Sequence, residues 1–258
     1  MNKKRLKIIK NTIKHNISQV MALTEKNIKL QTRFKFQVVF GYINPIISII
    51  IPLIIFRKIF DFNQSLGPWT NANYLIFVLS TYNLNLLRKM IAPFNRFDLL
   101  LGLFLSNLIL ISIPFALILI LNYIIYPISF ITLLFVLFIY CIITLIFSGI
   151  GLIIGSFAIS NENIWNFLIF AINLIFWASC ISYPFALFPQ IIQEIISFNP
   201  LYYIFTILRF SWVNNSIITT ITNFYPHFIV LIVTGILISF IAVFTFNKVF
   251  KKFGIVGY

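Results

Sequence analysis

The chain holds two histidines, five carboxylates and two cysteines, and their positions exclude most of the chemistry such groups perform. Catalysis inside a membrane needs a nucleophile beside a base, or metal ligands converging at one depth. His15 lies in a basic stretch and His227 at the edge of an apolar run, and no carboxylate falls deep in an apolar segment. Cys141 and Cys180 both sit inside apolar runs, with no CxxC pair and no histidine cluster, so neither a disulfide framework nor a zinc site is indicated. Both read as inert small hydrophobes. None of the nine glycines is followed by lysine, which excludes the G-x-x-x-x-G-K-[S/T] loop that cradles nucleotide phosphates. Buried Asp, Glu or His relays of the kind that couple transport to ions are missing as well. The chain is not expected to be an enzyme or to hold a cofactor or metal.

The elements around these sparse groups are membrane elements. From residue 99 to residue 161 there is no Asp, Glu, Lys or Arg. A soluble surface cannot be built from such a run, whereas a bilayer demands it, because a charge at mid-depth costs roughly 2.5–3.5 kcal/mol. The run exceeds the ~20 residues of one crossing and breaks at Asn122-Tyr123…Tyr126-Pro127. Composition agrees, with 60% hydrophobic and 9% charged residues and a mean hydropathy of +1.01. The net charge of +14 does not point to nucleic acid, since the basic residues cluster beside the first apolar run. Lys3, Lys4, Arg5, Lys7, Lys10, Lys14, Lys26, Lys29, Arg33 and Lys35 all precede it. Basic residues in that place hold anionic lipid and fix orientation. They also set the first apolar run too far in, and it is too long, for a secretory signal.

Hydropathy predicts an all-α integral membrane protein with six crossings, at 36–56, about 72–87, about 99–121, about 129–155, about 164–187 and about 227–247. The second is short and carries Asn83 and Asn85. Keeping it places the N-terminal cluster, Arg88, Lys89, Arg96, Lys248, Lys251 and Lys252 on one side, and Arg57, Lys58 and Arg209 on the other. The positive-inside tendency then sets both termini in the cytoplasm, in a multi-pass protein of the cytoplasmic membrane. Residues 1–35 form one unit and 36–258 the membrane domain. Leu6, Ile9, Ile13, Ile17 and Val20 recur at steps of three and four, with Lys3, Lys7, Lys10 and Lys14 largely opposite. This predicts a basic amphipathic helix in the headgroup region, with a solvated basic tail as the alternative. The segment 188–226 stays apolar between the last two crossings. It predicts short re-entrant helices turning at Pro184, Pro189 and Asn199-Pro200, a backbone tolerated at that depth only under cover. Gly151-x-x-x-Gly155, near Ser148 and Gly149, suits close helix packing.

Two stretches resemble the membrane permeases of ABC type 2 exporters, the class that includes O-antigen, teichoic-acid and some drug exporters. IAPFNRFDLLLGLFLSN at 91–107 is similar to the family's joint between its second and third crossings. SCISYPFALFPQIIQEIISFNPLYYIFTILRFSW at 179–212 is similar to a family pattern that Tyr183, Pro184, Pro189, Asn199, Pro200 and Arg209 match. Cys180 stands where many members have proline. The loop at 160–163 reads Ser-Asn-Glu-Asn rather than the Arg-Asp frequent in the polysaccharide branch.

The resemblance implies a chain powered from outside itself. A separate ABC ATPase, binding ATP and Mg, would engage a cytoplasmic coupling segment at 88–98 through Arg88, Lys89, Arg96 and Asp98, with Glu162 as a further contact. The same charges would serve as topology anchors if no coupling existed. The outer segment 184–203 would form a gate, with Trp177, Tyr183, Tyr202 and Tyr203 lining the path, or simply belonging to an interfacial aromatic girdle. One such chain is half a transporter, so a homodimer or a pair with a related permease is expected. The cargo expected first is a lipid-linked glycan or other cell-envelope polymer, and second a small amphiphile. An intramembrane enzyme and a non-transporting assembly subunit are the alternatives from other classes.

Overall fold

The structure, a computed structural model, describes residues 65–70, 73–88, 97–160 and 165–252, with scattered positions between 18 and 59. A short hairpin of β1 (Ser65–Leu66) and β2 (Trp69–Thr70) leads into the first continuous helix, α1 (Tyr74–Arg88). Then come α2 (Phe97–Ile125), α3 (Phe130–Ser160), α4 (Trp165–Trp177), a 3-10 turn at Phe185–Leu187, α5 (Gln190–Ser197), α6 (Pro200–Asn214), α7 (Ile217–Asn223) and α8 (Tyr225–Lys252). The architecture is all-α, as expected. Among the described residues three helices, α2, α3 and α8, are long and apolar enough to cross a bilayer, and the bent pair α5–α6 would make a fourth.

Several boundaries have a local cause. α2 runs through Asn122, where a re-entry turn is expected, and stops at Ile125 because Pro127 disfavours helical geometry in the residue before it. α3 then starts on Ser129, whose hydroxyl accepts from the Thr132 amide at 3.2 Å. The largest departure from expectation is the fifth crossing. It is expected to reach residue 187, but α4 ends at Trp177, after 13 residues, and six residues of turn follow before the Pro184 start of the 3-10 segment. Hydropathy could not see this, since the stop is made by the backbone: Ser179 donates from Oγ to the Phe176 carbonyl at 2.5 Å, and Cys180 takes φ +54°. α1, with 15 residues, is likewise short of the ~20 that span a bilayer unaided.

The first expected crossing is described at scattered positions, among them 39, 40, 43 and 52–55, all helical. The apolar stripe from Leu6 to Val20 lies outside the described residues. Farther along, Lys29 Nζ sits 2.6 Å from Glu25 Oε1 one turn away, and that hydrogen bond holds the Glu25 carboxyl below its ordinary range.

α6 is the innermost element: Leu201, Ile204, Phe205, Ile207, Leu208 and Trp212 are all buried. It packs against α1, α3 and α8. Phe147 of α3 and Phe176 of α4 meet Phe205 at ring separations of 6.1 and 6.3 Å. The broadest helix contact joins α3 to α8, where the close approach is made by Gly149. A Cβ there would stand 2.8 Å from the Ile238 methyl, and one on Gly235 would stand 3.3 Å from Ile142. The opposite side of α8 exposes Ile236, Phe240 and Phe244, a face suited to lipid. Replacing Gly149 with valine should therefore wedge α3 from α8 and cost about 1–3 kcal/mol, read as a lower thermal midpoint of the purified chain. An exposed small-to-large change such as Ser112→Val should leave that midpoint in place.

Candidate functional site

The prolines expected to mark turns each open an element. Pro184 precedes the 3-10 segment, Pro189 precedes α5, and Pro200 takes the first position of α6, where its missing N–H is no loss. Asn199 does double work at the bend. Its Oδ1 accepts from the Leu201 amide at 3.0 Å, and its Nδ2 donates to the Ile175 carbonyl of α4 at 2.8 Å. Tyr203 donates from its hydroxyl to the Ser197 carbonyl at 2.7 Å. Together these hold α5 and α6 at 92°, the break of either a bent span or a re-entrant segment.

Around the bend the aromatics stack on one another. Tyr202 lies on Phe185 at 4.9 Å, Tyr203 meets Tyr202 edge-on at 5.1 Å and His227 at 4.9 Å, and Trp177 meets Phe188 at 5.4 Å. Of the four aromatics assigned to a path, Trp177 and Tyr183 are half exposed, while Tyr202 and Tyr203 are more enclosed.

Arg209 occupies a different environment from the one its sequence position suggests. Expected among the outer charges and on the pathway, it is only 2% exposed. Its Nε donates to Ser80 Oγ at 3.1 Å and its Nη1 to the Cys180 carbonyl at 2.9 Å. Its Nη2 donates to Thr81 Oγ1 at 2.9 Å and to the Ile181 carbonyl at 2.6 Å. The guanidinium lies 3.8 Å from the Phe77 ring centre, a favourable place for a cation. One side chain of α6 thus ties together α1 and the turn after α4. The positive φ of Cys180 belongs to the same turn whose two carbonyls accept from Arg209. Ser80 and Thr81 were not singled out in the sequence; a hydroxyl pair inside an apolar helix, opposite a lone arginine in an apolar segment, is the signal that could have found them.

The set expected at the cytoplasmic end divides. Lys89, Arg96 and Glu162 lie outside the described residues, and Asp98 is described only as part of the first turn of α2. Arg88, expected to open the coupling segment, is the last residue of α1, and its side chain turns onto α4. It donates to Asn173 Oδ1 of α4 and lies 4.5 Å from the Phe176 ring centre. α1 is therefore fastened at its end by Arg88 to α4, and at its middle by Ser80 and Thr81 to α6.

Beside α1 opens a groove of about 270 Å³. Val78, Thr81, Tyr82 and Asn85 form one wall, Pro52 and Ile55 a second, and Ser182 and Tyr183 a third. It contains hydroxyls, an amide and two phenol rings, and among the described residues that line it none is charged. Of the expected pathway residues, Tyr183 lines this groove, whereas Tyr202 and Arg209 line a separate cavity. Among the described residues no cluster of three His, Cys, Asp or Glu could hold a metal.

Replacing Arg209 with methionine takes the donor from the Cys180 carbonyl and from two hydroxyls and leaves the Ile181 carbonyl with its bond from Thr81 Oγ1, and should cost on the order of 3 kcal/mol. Arg209→Lys, with a point charge in place of a fork, should restore only part of that. Ser80→Ala removes a single acceptor and should cost about 1 kcal/mol. Thermal unfolding of the three purified variants checks the order.

No curated protein is significantly similar to this chain. The family model described as "ABC-2 type transporter" matches residues 18–213, a stretch that takes in α1, the bent helix pair and Arg209. A chain of apolar helices matched over most of its length by that model belongs to the ABC-2 type transporter family, as one of its membrane-embedded permeases.

Proposed function

We propose that this chain is the translocation subunit of an ATP-driven exporter, that two copies form the pathway, and that the cargo is a lipid-linked glycan or related cell-envelope polymer. A separate ABC ATPase supplies the energy, as family membership implies in general. In this reading the chain crosses the cytoplasmic membrane six times, with α1 and α4 as the second and fifth crossings and both termini in the cytoplasm. The basic helix at 1–35 lies against the inner headgroups.

The groove beside α1 is the observation that carries the cargo assignment. Sugars present hydroxyls around apolar ring faces, and a site for them pairs neutral hydrogen-bonding groups with aromatic rings. Tyr82 and Tyr183 with Asn85, Thr81 and Ser182 have that composition, and this neutral set among the described lining residues suits a polyol better than an ion.

Energy enters at 88–98, the segment in which Arg88 ends one helix and Asp98 lies in the first turn of the next. A push on this joint reaches α1 directly. Because Ser80 and Thr81 hold Arg209, α1 passes the motion to α6 and so to the bent pair at the outer face. ATP binding by the partner then shifts the population between closed and open arrangements of the two permeases.

Two measurements follow. The adjacent or co-expressed ABC ATPase should co-purify with the wild-type chain and be lost from an Arg96→Ala, Asp98→Ala double variant. Retention by that variant would overturn the coupling assignment. With the ATPase present, Asn85→Ala and Tyr183→Ala should each slow glycan export about 2–10-fold, the effect of about one lost hydrogen bond. Basal ATP hydrolysis should stay within twofold. Unchanged glycan export in both would remove the cargo reading.

A further inference from the structure

The cavity lined by Tyr202 and Arg209 is distinct from the groove. It has a volume of about 100 Å³, well above the ~10–15 Å³ that admits one water. Trp69, Phe77 and Phe210 wall it, Thr206 adds a hydroxyl beside Tyr202, and the hairpin turn at Gly67 covers it. The wall is rigid: Trp69 stacks on Phe210 at 5.4 Å and meets Phe77 edge-on at 5.1 Å. Gly67, at φ +66°, lets the hairpin turn tightly over Ala186.

The charge of Arg209 is what gives this cavity a ligand preference. A guanidinium carries five N–H groups, and its hydrogen bonds use one on Nε, one on Nη1 and two on Nη2. Among the described residues one N–H of Nη1 is left over. The acceptors, two hydroxyls and two carbonyls, are all neutral, and among the described residues no carboxylate stands within ion-pair distance. An interior unit charge met only by neutral acceptors keeps a strong attraction for an anion, and low-dielectric aromatic walls concentrate its field in the adjoining space.

We propose that this cavity is an anion subsite that takes one phosphate or carboxylate group. The free Nη1 N–H of Arg209 is the charged donor, and the hydroxyls of Thr206 and Tyr202 complete the set. The group reaches it either as a lipid headgroup or as a free or cargo-borne anion. The inference rests on the cavity itself and holds whether or not the cargo is a glycan.

The test uses the full chain in nanodiscs of phosphatidylcholine. Inorganic phosphate, and separately acetate, is titrated at ionic strength held constant with a bulky sulfonate buffer. Tryptophan emission, to which Trp69 contributes, and the thermal midpoint are followed together. Wild type should show a saturable change in both. Thr206→Leu fills the cavity while leaving the four Arg209 bonds in place, and should bind at least tenfold more weakly with an unchanged midpoint in the absence of anion. Trp69→Phe should lose the emission change and keep the thermal one. Arg209→Gln should show neither. Absence of any saturable response in wild type, or a response of equal affinity in Thr206→Leu, overturns the proposal. In nanodiscs containing phosphatidylglycerol, a shift of the phosphate response to higher concentration assigns the site to headgroups. An unshifted response assigns it to soluble or cargo-borne anions, and either result upholds the site.

Discussion

A guanidinium buried among apolar helices has to find an acceptor for nearly every N–H, and that requirement organises the centre of this molecule. Arg209 is almost wholly withdrawn from the surface, so the chain brings acceptors to it. Ser80 and Thr81 come from α1, and the Cys180 and Ile181 carbonyls come from a turn where a helix would otherwise continue. Carbonyls inside a helix are already engaged. Ending α4 at Trp177 and turning Cys180 to positive φ is what frees two of them. The short fifth helix, the irregular segment after it and the buried arginine are one arrangement.

That arrangement has mechanical consequences. α1 is gripped near its end by the contacts of Arg88 with Asn173 and Phe176, and in its middle by Arg209. α6 carries α5 with it through Asn199 and Tyr203. In the proposed function, the bent pair would respond to ATP bound by a partner only through connections of this kind. The helix-to-helix contacts provide a continuous path of hydrogen bonds and packed rings from the start of the 88–98 segment to the 92° bend. Exposed apolar surfaces such as the outer side of α8 carry no comparable cross-links among the described residues.

Much of this was legible in the residues. Uncharged runs of membrane length located α2, α3 and α8, and Pro184, Pro189 and Asn199-Pro200 located the breaks around α5 and α6, because a missing N–H acts locally. What depends on distant partners was not legible. The fifth helix reads as apolar to residue 187, yet the turn that ends it offers its carbonyl oxygens as acceptors to an arginine some thirty positions on in the chain. Arg209 reads as an outer charge because hydropathy has no term for four acceptors from other elements. Arg88 reads as a cytoplasmic handle, while its guanidinium turns back onto Phe176. Small residues were read at Gly151 and Gly155; Gly149, near that pair, supplies the tight contact with Ile238, since register between two helices is a property of both.

The claim on which the rest stands is that α1, the turn after α4 and α6 move as one body. Spin labels at Leu75 on α1 and Glu194 on α5, in a Cys141→Ser background and diluted with unlabelled chain, would report it by pulsed dipolar distance measurement in the complex with its ATPase. The account predicts one narrow intrachain distance, the same without nucleotide and with ATP trapped, while distances between the two permeases change. An intrachain distance that shifts by several ångströms on ATP trapping would contradict it.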